Sequence, residues 1–153
     1  MKEQATQSIS QNLWWVIPGK LAGVRKPMLE EIADLKAEGV GAIVSVMEDA
    51  ANLDGYEQIS LPYRWLPTKG GTAPSPEQIK ELQDFVDQQN LLGHAVAVHC
   101  TSGNRRTGTM LAAYLISTGS SYDDAMQVIQ TANPNAELRE AQTAFLQNLV
   151  KSQ

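Results

Sequence analysis

Between a run of small apolar residues, Ala95–Val98, and a second run opening at Gly108 lies a polar stretch, His99 to Thr107, that reads H-C-T-S-G-N-R-R-T. Its residue types and spacing could do chemistry. Cys100 and Arg106 are separated by Thr101, Ser102, Gly103, Asn104 and Arg105, none of them bulky and apolar. If a strand enters this stretch and a helix leaves it, the backbone N–H groups of Thr101–Arg106 turn into one concavity, to which the helix adds the positive end of its dipole. A phosphate-sized oxyanion suits that field, and so does a thiolate. Cys100 is therefore expected to ionise below the free-thiol value of about 8.5 and to act as a nucleophile near neutral pH. Arg106, in the first helical turn, can grip two oxygens of the anion bidentately, which a Lys could not match. The Thr107 hydroxyl is placed to donate to the Cys100 sulfur. Arg105 is either a solvated charge or a bias towards more highly charged anions, and Lys69, in a glycine-rich loop, is read as solvated. His99 is expected to orient the loop by hydrogen bonds, and His94 to be a surface residue at a strand start. Two histidines and one cysteine without ligand spacing imply no metal site and no cofactor.

The elements that must position these residues follow from pattern and punctuation. Leu13–Ile17 and Lys20–Val24 read as strands around the Pro18-Gly19 turn, with Trp14 and Trp15 in packing roles. A helix from Pro27 to Glu38 stops at Gly39, and Ala42–Met47 reads as a buried strand. Glu48–Ile59 is expected to be a loop, Tyr63–Leu66 a strand, and Pro67–Ala73 a loop loosened by Gly70-Gly71. Ser75-Pro76-Glu77-Gln78 is a capping box that starts a helix to about Asn90. Gly108–Ser117 is apolar all round, as a helix in the middle of a domain must be. Ser121 caps a helix to about Ala132, and after Asn133-Pro134 an amphipathic helix spans Ala136–Val150. The sum is an α/β fold, a central twisted sheet of four or five strands flanked by helices, with the Cys100 loop at a strand's carboxyl end.

Composition bounds the rest. A chain of 153 residues is read as one domain able to bury a core without disulfides, its polar residues 1–11 fraying. The single cysteine suits a reducing compartment, and with no apolar run near 20 residues and no hydrophobic leader the expected location is the cytoplasm. A net charge of −5 argues against nucleic-acid and membrane partners, and a monomer is expected.

H-C-x-x-G-x-x-R-T-G, from His99 to Gly108, resembles the signature of the protein tyrosine phosphatase superfamily, in the form carried by its small atypical dual-specificity-like members. The similarity extends to N-L-W-W-V-I-P-G-K-L-A-G, V-S-V-M-E, A-P-S-P-E-Q-I and T-G-T-M-L-A-A-Y-L-I, and so covers almost the whole chain. It outweighs the rhodanese-like sulfur transferases, which also place a Cys on a strand-to-helix loop. The resemblance implies the cysteine phosphatase fold and a phosphocysteine intermediate: Cys100 attacks phosphorus while the backbone of Thr101–Arg106 and the Arg106 side chain hold the equatorial oxygens. It implies phosphotyrosine or phosphoserine/threonine proteins first as substrates, with phosphoinositides, nucleotides and small phosphorylated metabolites also open.

The pattern fails at one place. Members of the family usually protonate the leaving oxygen with an Asp that follows a Pro after the fourth strand, and Thr68 stands there. No Asp or Glu occurs between Arg64 and Ser75. General acids contribute about 10² to 10⁴ in rate, so the omission matters. Either a carboxylate comes from elsewhere, with Asp49, Glu48 and Asp54 the candidates, or the substrates have good leaving groups, or turnover has been lost and a phosphate-binding module remains. A milder departure is Leu138 where a Glu is expected, while Gln142 matches a polar position that could help place the attacking water.

Overall fold

A computed structural model describes residues 8–151 of the chain. Ser8 accepts a hydrogen bond from Gln11 N, the Gln11 side chain returns one from Ser8 N, and this reciprocal cap starts α1 (Ile9–Asn12), whose Ile9 is fully buried. Of the stretch expected to fray, residues 8–11 are thus held in a capped turn of helix through the buried Ile9, and 1–7 lie outside the described residues. β1 (Trp14–Ile17) and β2 (Leu21–Val24) pair antiparallel. The helix expected from Pro27 begins later, as a tight turn over Leu29–Glu31 leading into α2 (Ile32–Ala37). The Glu31 carboxylate holds that turn, accepting from Met28 N and pairing with Arg25 at 2.8 Å. β3 (Val40–Ser45) is followed by α3 (Leu53–Gln58), inside the segment expected to be a loop. Beyond β4 (Tyr63–Trp65) the order is α4 (Pro76–Leu91), β5 (Ala95–His99), α5 (Arg105–Ser117), α6 (Tyr122–Ala132) and α7 (Glu140–Lys151). The last helix starts four residues after the expected Ala136, because Asn133 accepts from Asn135 N and Ala136 N in a turn that holds the chain away from helical geometry.

The five strands form one mixed sheet in the order β1-β2-β5-β3-β4, parallel except for the β1–β2 pair. The central sheet flanked by helices expected from the sequence is observed, with five strands. Strand alternation sends Val96, Val98, Ala42 and Val44 to a core shared with α4, α5, α6 and α7, while Ala97 and Ile43 face the side covered by α1, α2 and α3. Because β5 is central and paired on both edges, its carboxyl end is held in place by β2 and β3 together. Cys100 falls in the first of these cores, and His99, one residue earlier, points to the other. Among the described residues no helix is long and apolar enough to cross a membrane.

Close packing at one strand fixes the position of an indole that the site uses. A Cβ on Gly23 would stand 2.4 Å from the Trp14 ring, so the indole can lie across β2 only while position 23 has no side chain. Gly23→Ala is expected to cost about 1–3 kcal/mol through overpacking. Urea denaturation measures this, and the loss should shrink when Trp14 is also replaced by a smaller residue.

Candidate active site

β5 delivers His99 and Cys100 to the carboxyl edge of the sheet, and α5 begins five residues after Cys100. The loop between them is clamped from outside. Gly103 has φ +81°, and a Cβ there would come within 2.6 Å of Arg25 N and of the Val24 carbonyl carbon, so the turn lies flat against the end of β2. Trp14 Nε1 donates to Gly103 O at 3.2 Å, Lys26 N to Thr101 O at 3.2 Å, and Asn133 Nδ2 to Asn104 Oδ1 at 3.0 Å. Thr101, Ser102 and Arg105 are exposed, whereas Cys100 is 2% exposed.

The clamped loop aims donors at sulfur. Gly103 N donates to Cys100 Sγ at 3.2 Å and Thr107 Oγ1 at 3.1 Å. Burial by itself pushes the thiol up, but hydrogen bonding from the Thr107 hydroxyl and N–H, and from the N–H groups of Gly103 and Asn104, outweighs it and lowers the Cys100 pKa. The donors come from the loop and the helix start, where the sequence leads one to expect them.

His99 anchors the other side of the loop. Its Nδ1 lies 3.2 Å from Cys100 O, which can only accept, so Nδ1 carries the proton. Burial pushes the His99 pKa down to about 4, leaving Nε2 bare to accept from the Tyr56 hydroxyl at 3.0 Å. Tyr56 accepts in turn from Asn52 Nδ2 at 3.0 Å, and burial raises its own pKa to about 12, keeping the phenol protonated. Asn52 occupies a left-handed conformation at φ 76°, which an Asn adopts more readily than most residues, and also donates to Pro27 O. The relay Asn52–Tyr56–His99 thus fixes one histidine tautomer beneath the Cys100 carbonyl. Nothing in the local sequence around Tyr56 marks it as part of the site. Its signal is the i, i+3 pair of buried residues Leu53 and Tyr56 on α3.

Above Cys100 a cleft of about 450 Å³ is lined by Gly70, Gly71, Cys100, Ser102, Arg105, Arg106 and Arg139. Arg106 is half-buried and donates from Nη1 to Thr68 O at 3.1 Å, and Arg105 Nε donates to Glu137 O at 3.0 Å. Arg139 is a cleft residue that sequence reading missed, because it lies in the irregular approach to α7, far along the chain from the loop. The general-acid candidates are not brought in. Glu48, Asp49 and Asp54 are exposed on the β3–α3 segment, none lines the cleft, and the Asp49 carboxylate accepts from Ala51 N at 3.0 Å.

Where the family acid would stand, Thr68 is 5% exposed, and its hydroxyl donates back to Leu66 O at 3.2 Å. The loop around it is tied down rather than loose. Thr68 N donates to Val46 O, Gln78 Nε2 to Pro67 O at 2.8 Å, and Gln142 Nε2 to Thr72 O at 3.1 Å. Gln142 is fully buried, and its Oε1 accepts from Arg139 N, so the residue expected to place water is engaged as a strut for this loop.

Comparison with known proteins agrees with the signature. A family model described as "Polymorphic toxin system, DSP-PTPase phosphatase" matches residues 19–120. PRL-1 phosphatase of Drosophila melanogaster is 30% identical over 119 residues, 76% of this chain and 66% of that protein. Phosphatidylglycerophosphate phosphatase PTPMT2 of Arabidopsis thaliana is 27% identical over 150 residues, covering 94% of this chain and 66% of that one. The chain therefore spans just under two thirds of the length of these curated relatives. Among solved structures, Tk-PTP in the active form superposes with a TM-score of 0.81 at 27% identity, over 92% of this chain and 97% of that one.

Two consequences of the geometry can be measured. Thr107→Val removes the hydroxyl donor, and the midpoint of the pH dependence of iodoacetamide alkylation at Cys100 should move to higher pH; an unmoved midpoint would show that Thr107 does not hold the thiolate. His99 is neutral when buried, with a pKa near 4 against an ordinary 6.5, so below about pH 6.5 the unfolded chain binds the extra proton and the fold loses stability. The loss is at most about 1.4 kcal/mol per pH unit until about pH 4 and is absent above about pH 7. Denaturant unfolding of wild type and His99→Gln at about pH 7 and about pH 5 should show a flatter pH dependence in the variant.

Proposed function

This chain belongs to the DSP-PTPase phosphatase family described for polymorphic toxin systems, and on that premise we propose that it hydrolyses phosphate monoesters with Cys100 as nucleophile. The observation that carries the reading is a buried sulfur with lowered pKa, receiving hydrogen bonds from Gly103 and Thr107 at the floor of an arginine-lined cleft. In the first step the Cys100 thiolate attacks phosphorus in line with the leaving oxygen; the S–P bond forms and the P–O bond breaks. The backbone N–H groups of Thr101–Arg106 and the Arg106 guanidinium, released from Thr68 O, take the charge of the three equatorial oxygens. Water then attacks phosphorus, phosphate leaves, and the Thr107 hydroxyl stabilises the departing thiolate.

The substrate is a phosphorylated protein or a small phosphorylated compound; similar proteins include one named a dual specificity protein phosphatase and one named for a phosphorylated lipid. The leaving group is one that needs little protonation, since among the described residues no carboxylate lines the cleft and a loose phosphoryl transition state chiefly demands charge stabilisation. The reaction so written uses no metal or cofactor. The lone thiol needs a reducing compartment such as the cytoplasm, and a monomer holds all of the residues named. A phosphate-binding module without turnover is the second reading, favoured by the same missing carboxylate.

A pH–rate profile on two esters decides between them, one with a phenol leaving group of low pKa and one with an alkyl leaving group. The expected result is turnover of the phenolic ester without an acid-derived falling limb, and slow or no turnover of the alkyl ester. A bell-shaped profile on both would show that a carboxylate reaches the site, and phosphate binding without turnover of either would establish the binding module. Cys100→Ser should abolish turnover while phosphate still binds, and Arg106→Lys should cost several orders of magnitude in kcat/KM; retained activity in Cys100→Ser would sink the mechanism.

A further inference from the structure

The chain has five arginines in a protein of net charge −5. Two are matched to carboxylates in the ordinary way, Arg25 to Glu31 at 2.8 Å and Arg64 to Glu81 at 3.8 Å. Among the described residues no carboxylate pairs with the other three, and those three, Arg105, Arg106 and Arg139, line one cleft. Three like charges gathered in a concavity repel one another and favour an anion there.

One phosphate does not use them all. A single phosphoryl group seated over Cys100 takes the loop N–H groups and the Arg106 fork, and its three equatorial oxygens are then filled. Arg105 Nε donates to Glu137 O, which fixes the stem of a side chain that borders the cleft and leaves its two Nη groups as further donors. Arg139 runs over the opposite wall, where a Cβ on Gly71 would stand 3.7 Å from its Cδ, and its own backbone N is held by the buried Gln142. Both arginines are thus positioned by contacts outside the phosphate loop.

Resting on the phosphatase reading above, we propose that Arg105 and Arg139 form a second anion subsite, and that the substrate is a water-soluble compound carrying a second phosphate next to the scissile one. None of the exposed large apolar side chains lines this cleft, so nothing there would hold an acyl chain or enter a bilayer. A neighbouring phosphate also suits a site without a proton donor. In a diphosphate the leaving group is itself a phosphate, stable as an anion, and when the P–O bond to it breaks the electron pair stays on an oxygen that Arg105 and Arg139 neutralise.

The test is calorimetric binding of two inert probes to the wild-type chain, methylphosphonate with one phosphoryl group and methylenediphosphonate with two, together with turnover of p-nitrophenyl phosphate. The diphosphonate should bind at least about tenfold more tightly. Arg105→Ala and Arg139→Ala should each reduce that ratio, and Arg139→Lys should restore part of it. A ratio near one in wild type, or a ratio unchanged in both alanine variants, overturns the subsite even if p-nitrophenyl phosphate is hydrolysed. An intact ratio without hydrolysis supports the subsite and defeats the phosphatase reading instead. Tighter binding of a phosphoinositide bisphosphate in phosphatidylcholine vesicles than of its soluble headgroup would overturn the assignment to a soluble compound.

Discussion

Bringing several hydrogen-bond donors to a sulfur that is 2% exposed is the constraint on which the rest of this structure depends. Desolvation acts against the charge, and donors must converge on the sulfur to reverse it. The donors are backbone groups of a short loop, so the loop cannot be free to choose its shape. Gly103 against the end of β2, the Trp14 indole on its carbonyl and Asn133 on Asn104 all hold one conformation. Gly23 makes room for the indole, and β5 is central because a loop this constrained needs a strand fixed on both edges. The lowered pKa of Cys100 is in this sense a property of the sheet as well as of the loop.

How much of this was legible in the chain depends on distance. Cys100, Arg106 and Thr107 stand together in sequence, and a turn followed by a helix start is enough to place them around one loop, as the structure does. The sheet was legible because β3 and β5 are runs of small and β-branched apolar residues bounded by turns. What was not legible came from contacts between distant segments. Leu53–Gln58 carries a Gly and two acids and reads as loop, yet Tyr56 folds it onto His99, 43 residues away. Arg139 belongs to no pattern and reaches the cleft because the chain before α7 turns back across Gly71. Gln142 was recognised as polar and placed, but its partners, Arg139 N and Thr72 O, could be known only from the tertiary structure.

The segment around Thr68 shows the same limit from the other direction. Two adjacent glycines suggested looseness, and Gly71 does adopt φ +80°. The chain nevertheless receives hydrogen bonds from Gln78, Gln142 and Arg106, side chains of three different helices. Local composition described the flexibility of the peptide, and long-range bonds determined its actual freedom.

That tethering changes how a ligand meets this protein. In a site closed by a swinging segment, binding must first order the segment, and the rate of closing and reopening can set the pace of turnover. Here the corresponding stretch is bonded to α4 and α7 by side chains that a bound anion does not need, and much of its ordering entropy is met during folding. That wall of the cleft is therefore set before binding, and Arg106 is the group that exchanges a loop carbonyl for the ligand.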